Sequence, residues 1–184
     1  KKMNGLRAEF TKAAFRRKDG HVMLAKSVNP LPISWRRPIP EGWMPSTITV
    51  RLQPAGRWFV AILVDDYTIK PPPKIEKSIG LDVGITSLIA TSDGDKIANP
   101  KHFKKLRKKL KKKQKALARK QKGSNNRQKA RVQVANIHAQ ITDARKDFLH
   151  KLTTQLIRKN QTIVVEDLAT KNMVKNHKLA LAIS

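Results

Sequence analysis

Two acidic residues stand where an acid is unexpected. Asp82 lies inside Ile79-Gly80-Leu81-Asp82-Val83-Gly84, an apolar run flanked by glycines, and Glu166 follows the apolar run Thr162-Ile163-Val164-Val165. Aspartate is depleted in strands, and a carboxylate removed from water needs a partner, a proton or a metal ion. Gly80 and Gly84 leave room for backbone or a phosphate to come close. If the two runs are neighbouring strands, both carboxylates project from one end of a sheet and can share Mg2+, which takes oxygen ligands and keeps part of its water shell. Two such ions about 4 Å apart activate water and stabilise the leaving oxygen in phosphodiester hydrolysis. Each acid also has a plainer reading. Asp82 can be a strand-end residue bonded to the following turn, and Glu166 a strand end beside the helix-cap candidate Asp167. Two carboxylates are few for a two-ion site. A third is expected, and no other acid has the same setting. Asp143 and Asp147 lie on a basic helical stretch, where pairing with Lys or Arg accounts for them.

Rival chemistries find little support. The chain has no cysteine, which excludes disulfides, thiolate zinc sites and a cysteine nucleophile within these residues. His21, His102, His138, His150 and His177 show no metal-ligand spacing and read as surface or structural. No glycine-rich phosphate loop of the nucleotide-binding kinds occurs.

The elements that must position the two acids are legible from periodicity. Lys77–Val83, Ser87–Thr91 and Lys96–Ala98 read as an antiparallel meander. Asn99 and Pro100 read as a helix start, Asn99 capping and Pro100 at the first helical position. Residues 101–122 form a helix with thirteen Lys or Arg and no acid. Its apolar stripe is Phe103, Leu106, Leu110 and Leu117. Gly123-Ser124-Asn125-Asn126 breaks it, and a second helix spans Arg127–Lys159, with Val134, Ile137, Ile141, Ala144, Phe148, Leu152 and Leu156 on one face and Asn160 as a left-handed cap. The two helices form an antiparallel hairpin. The buried strand at 162–166 then pairs parallel to the first strand, as a strand-helix-strand connection favours. The last residues, Thr170–Ser184, begin another element.

Like charges one turn apart destabilise an isolated helix, and a polyphosphate partner relieves this by neutralisation and counterion release. The candidate nucleic-acid-binding residues are therefore Lys104, Lys105, Arg107, Lys108, Lys111, Lys112, Arg119, Lys122, Arg127, Lys129 and Arg131. With few aromatics in the hairpin, phosphate shape rather than base identity is what it tracks.

Ahead of this region the chain is β-rich. Residues 1–20 are basic, with a turn at Lys18-Asp19-Gly20, and His21–Lys26 reads as a short strand. Prolines from Pro30 to Pro45 exclude a continuous helix. Thr47–Leu52 and Arg57–Val64 form a hairpin around Pro54-Ala55-Gly56. Trp35, Trp43 and Trp58 are expected in the core, with base stacking as the alternative. Pro71-Pro72-Pro73 is a stiff linker and the expected domain boundary, dividing a small antiparallel β-barrel at 1–73 from an α/β region at 74–184 with its helical hairpin at 101–159.

Composition agrees. The chain has 184 residues, 40 basic against 13 acidic, and a formal charge of +27. Such a charge repels itself in a compact protein without a polyanion. Nucleic acid is the default partner, and an anionic membrane surface is the rival. No run of about 18 apolar residues and no signal peptide occur, so a spanning or secreted protein is not expected; the expected location is cytoplasmic, associated with a prokaryotic nucleoid.

Taken together, these stretches resemble the TnpB family, transposon-encoded relatives of type V CRISPR effector nucleases. The resemblance rests on Gly80-Leu81-Asp82-Val83-Gly84, on Ser92-Asp93-Gly94 through Asn99-Pro100, on the basic helix pair with Gly123-Ser124, on Arg145-Lys146-Asp147-Phe148-Leu149-His150-Lys151, on Ile163-Val164-Val165-Glu166-Asp167-Leu168 and on Lys178-Leu179-Ala180. Pro40-Glu41-Gly42 and Gly56-Arg57-Trp58 fit the family's preceding β-rich region. It implies an RNase H-like RuvC nuclease domain with a mixed sheet, behind a wedge-like RNA-binding barrel. It implies a guide RNA made from the transposon end, and Mg2+-dependent cleavage of matching double-stranded DNA. Asp82 matches the family's first catalytic Asp and Glu166 its catalytic Glu. The third catalytic Asp and a cysteine-based zinc ribbon are expected beyond Ser184, and a helical segment ahead of the barrel, so the chain reads as an internal piece. Two alternatives remain open: a guided DNA-binding protein or repressor that does not cut, and a generic basic nucleic-acid-binding protein.

Overall fold

A computed structural model of the chain describes residues 6–18, 20–36, 39–65, 70 and 73–176. The chain divides into two compact units, Lys1–Lys70 and Pro71–Ser184. Asp19 of the expected turn, Pro71 and Pro72 of the expected linker, His177 and residues 178–184 lie outside the described residues.

Among its described residues the first unit holds five strands: β1 (Arg7–Thr11), β2 (Phe15–Lys18), β3 (His21–Leu24), β4 (Pro45–Leu52) and β5 (Trp58–Val64). β1, β4 and β5 form one antiparallel sheet with β4 in the middle, and β2 pairs with β3 separately. The alternation in Thr47–Leu52 makes the β4–β5 hairpin. Its turn closes with the Gln53 amide donating to the Arg57 carbonyl at 2.9 Å, and Gly56 takes a φ of +76°, which glycine adopts without a Cβ penalty. Register places Phe10, Ile48 and Ile62 in one row across the sheet. Ile48, together with Val22 of β3, is fully buried.

The small barrel, or part of one, expected here does not close among the described residues. Among the described residues the unit has a three-stranded and a two-stranded sheet. The described residues between β3 and β4 add no strand, because Pro30, Pro32 and Pro40 have no amide to give a ladder. Two of the three tryptophans also depart from expectation, while Trp43 is half-buried. Trp58 is 63% exposed and Trp35 37%, so neither belongs to the core.

In the second unit, β6 (Ser78–Asp82), β7 (Ser87–Thr91) and β8 (Lys96–Ala98) form the expected meander, followed by α1 (His102–Ala118), α2 (Asn125–Lys159), β9 (Thr162–Val165) and α3 (Thr170–Lys175). The sheet order is β8-β7-β6-β9, antiparallel except that β9 lies parallel to β6. The architecture is thus mixed α/β. Along β6, Ile79 and Leu81 are buried while Ser78 and Asp82 are exposed, the period of two expected of a strand with one covered face.

The helical hairpin packs on the apolar stripe seen in the sequence. Leu110, Ile137 and Ile141 are its buried centre, with Phe103, Leu106 and Val134 against them. Burial of these side chains is what holds α1 together, since its own lysines oppose the helix. Ser124 caps α2: its Oγ accepts from the Arg127 amide at 3.2 Å, and its hydroxyl donates to the Gln121 carbonyl at 2.9 Å. Two cap assignments change. Asn99 Oδ1 accepts from the Lys101 amide at 2.9 Å, a turn of its own rather than a helix cap. The N-cap is Lys101, at φ 50°. Asn160 is extended rather than left-handed. It closes α2 by donating its side-chain Nδ2 to the Leu156 carbonyl at 2.9 Å.

Candidate metal centre and nucleic-acid interface

The β6–β9 register positions the two acids. Ser78, Ile79, Gly80 and Leu81 stand level with Thr162, Ile163, Val164 and Val165. Asp82 and Glu166 each come one residue after the last matched pair, at the same end of adjacent parallel strands. Neighbouring parallel strands lie about 4.8 Å apart. Both acids are exposed. Among the described residues neither side chain takes a hydrogen bond or an ion pair. The plainer reading of Asp82, a carboxylate bonded to the following turn, therefore has no contact behind it. Nor does Asp167 cap a helix, since the N-cap of α3 is Ala169.

The glycines on either side of Asp82 differ in kind. A Cβ on Gly84 would meet the Ser87 carbonyl oxygen at 3.1 Å, whereas one on Gly80 would only touch the Ser92 side chain at 3.6 Å. A side chain at Gly84 would crowd the return from β6 to β7, whereas Gly80 has room for one. The Gly80 amide donates to Ser92 Oγ at 3.1 Å, and Ser92 donates its amide to the Gly80 carbonyl at 2.9 Å. These bonds hold the strand that carries Asp82 against β7.

An open pair of carboxylates suits a hard divalent cation, whose ligands are oxygens and whose remaining sites stay hydrated. Among the described residues no group of three His, Cys, Asp or Glu is close enough to hold an ion by itself. Asp93 and Asp95 do not supply a third ligand, because they lie at the far end of β6, where Asp93 pairs with Lys77 at 2.7 Å. Asp147 pairs with Lys151 one turn on at 2.7 Å, as its basic surroundings suggest. His102 packs its ring edge-on to Phe148, centroids 6.1 Å apart, the structural role expected of it.

The basic surface is on the hairpin. Lys104, Lys105, Arg107, Lys108, Lys111 and Lys112 of α1, Arg119 and Lys122 of the connection, and Lys129 and Arg131 of α2 are all exposed. Arg127 is different. It is half-buried, and its Nη1 donates to the carbonyls of Leu117 at 3.1 Å and Lys120 at 2.8 Å. It satisfies carbonyls at the end of α1 and fastens the turn, so a structural job accounts for it. Lys113, not singled out by the sequence, also bridges the hairpin, to Gln133 Oε1 at 2.9 Å. Lys109, Lys115 and Lys120 are exposed and belong to the same cationic surface. Among the described residues no helix is long and apolar enough to cross a membrane.

Fold and site together define a basic α/β protein with an open acidic pair at one sheet end and a cationic helical hairpin inserted between the strands that carry it. Comparison with known proteins narrows this. Residues 59–177 match the OrfB family of IS605 elements, described as "Probable transposase". A Streptomyces pristinaespiralis protein provisionally named RNA-guided DNA endonuclease is 53% identical over 177 residues, 96% of this chain and 44% of that protein. A second relative, provisionally named RNA-guided DNA endonuclease InsQ, from Escherichia coli (strain K12), is 36% identical over 124 residues, 67% of this chain and 31% of that protein. The chain belongs to the OrfB family of IS605 transposons, the TnpB-like proteins. It spans less than half the length of these two curated relatives.

Proposed function

We propose that the chain carries the first two acids of a RuvC-like, RNase H-like nuclease site in an RNA-guided DNA endonuclease. Its partners are a guide RNA encoded at a transposon end and a matching DNA duplex. The observation that supports this most is the parallel β6–β9 register, which brings Asp82 and Glu166 to one sheet end from positions far apart in the sequence. Asp82 and Glu166 would hold Mg2+, which when bound supplies an activated water and stabilises the leaving oxygen of the phosphodiester. The chain's own contribution is to keep both carboxylates open at the strand ends, with Gly84 setting the return to β7. Meanwhile the hairpin lysines draw the phosphate backbone in and fix its position without reading sequence. The names of the relatives support the same reading.

Sequencing the RNA that copurifies with the chain after a high-salt wash tests the guided part. One dominant structured transcript with a variable end is expected. A smear of cellular RNA contradicts guiding and leaves a generic polycation. Cleavage is tested with the protein expressed from its native locus together with its transposon end. Asp82→Ala should abolish Mg2+-dependent cutting of a matched plasmid while RNA binding persists. A parent protein that binds the matched target and never cuts it would establish the guided DNA-binding protein instead.

A further inference from the structure

A cavity of about 490 Å3 lies between α2 and the sheet of the second unit, at the sheet end opposite Asp82 and Glu166. Its apolar walls are Phe148, Leu152 and Leu156 of α2 on one side, and Ile79 of β6 and Ile97 of β8 on the other. Past Leu156 the helix stripe gives way to Lys159 and Asn160. Interiors are close-packed, with few voids larger than a water molecule, whereas small-ligand pockets run to about 300–1,000 Å3. The polar groups of the cavity are unmatched. Asn160 is 6% exposed. Its Nδ2 donates to the Leu156 carbonyl at 2.9 Å, while its Oδ1 is buried and takes no hydrogen bond among the described residues. Buried acceptors are seldom left so. Asp95, Lys96 and Lys159 also line the cavity. All three are exposed and have no ion pair among the described residues.

We propose that this cavity binds a free nucleoside monophosphate. The three kinds of group present select it together. The faces of a base are apolar enough to sit against Ile97 and the α2 stripe, and an amino group on the base edge supplies the donor that Asn160 Oδ1 lacks. The ribose hydroxyls donate to the Asp95 carboxylate. The phosphate takes charge-assisted hydrogen bonds from Lys96 and Lys159. An inorganic anion leaves the apolar walls and Asn160 unanswered, and a purely apolar molecule leaves Asp95 and the two lysines. Bound there, the nucleotide bridges the end of α2 and β6, the strand that ends on Asp82, and stabilises that packing by mass action. The site requires neither a guide nor a metal ion, so it stands apart from the proposed function.

The test is calorimetric titration of the whole chain at physiological ionic strength, with AMP as the probe and adenosine, ribose 5-phosphate and inorganic phosphate beside it. AMP should bind saturably, and ribose 5-phosphate and inorganic phosphate at least about tenfold more weakly. Ile97→Trp, which fills the cavity from the sheet side, should abolish AMP binding. Lys96→Glu changes only an exposed rim position, so the fold is not at stake. It should weaken AMP roughly tenfold and leave adenosine unchanged. Lys105→Glu, at an exposed cation of α1 that does not line the cavity, should change neither. AMP bound no more tightly than inorganic phosphate, or an equal loss in Lys105→Glu, shows only the pull of a cationic chain on an anion and overturns the site. Unchanged AMP affinity in Lys96→Glu overturns it as well. An unstructured RNA of about 12 nucleotides whose binding is lost in Ile97→Trp would assign the cavity to a polynucleotide and overturn the free ligand. The roles proposed for Asp82 and Glu166 stand or fall separately from each of these outcomes.

Discussion

At the scale of single residues, the two glycines beside Asp82 make opposite demands. The Cβ that Gly84→Ala introduces meets a backbone carbonyl at 3.1 Å, so the return to β7 must shift, a cost of about 1–3 kcal/mol of the kind overpacking brings. Gly80→Ala makes ordinary contact with Ser92 and should stay within about 0.5 kcal/mol of the parent. Urea unfolding of the two variants checks the contrast, and equal stabilities would remove the role given to Gly84. Both glycines looked alike in the sequence. What separates them is the position of the Ser87 carbonyl, which only folding reveals. The same holds for Arg127. In a run of cations it is indistinguishable from its neighbours, and its bonds to Leu117 and Lys120 follow from where the turn ends. Arg127→Gln should therefore loosen the hairpin, seen as faster hydrogen exchange in α1, more than it weakens phosphate binding. Lys108→Gln should do the reverse.

At the scale of elements, α1 is stable only because α2 covers its stripe. Leu110, 5% exposed, is the α1 member of that contact. Leu110→Ala should cost about 2–5 kcal/mol and speed exchange of the α1 amides, while β4 and β5, in the other compact unit, keep their protection. Raised salt should increase helicity by screening the lysines of α1; circular dichroism at low and physiological ionic strength reads this. Both helices, the meander and the β4–β5 hairpin were legible, because each shows a clean period of two or 3.6. The parallel placement of β9 was legible from the length of the helical connection, but its expected burial fails, since Val164 and Val165 are exposed. β1 and β2 were not. Arg7-Ala8-Glu9-Phe10-Thr11 and Phe15-Arg16-Arg17-Lys18 each hold a single large apolar residue, and pairing with β4 and β3 makes them strands. The barrel expectation failed on the prolines, whose number was visible but whose effect on closure depends on the strands around them. Asn99 failed as a cap because its side chain bonds equally well to its own turn.

At the scale of the whole molecule, a formal charge of +27 should draw almost any nucleic acid at low salt. With roughly 6–10 phosphate contacts, affinity should fall by about 10³–10⁵ between about 50 and 200 mM salt, and a titration against a DNA duplex measures that slope. Binding by itself thus says little about what Asp82 and Glu166 do. The measurement that addresses them directly is a titration of the isotope-labelled chain with Mn2+, a paramagnetic stand-in for Mg2+, followed by NMR. A metal site shared by Asp82 and Glu166 predicts that amide signals at the ends of β6 and β9 broaden together at low metal. Asp82→Asn and Glu166→Gln should each abolish the effect at both strands. Broadening at only one strand, or broadening that survives either substitution, would contradict a shared metal site at this sheet end.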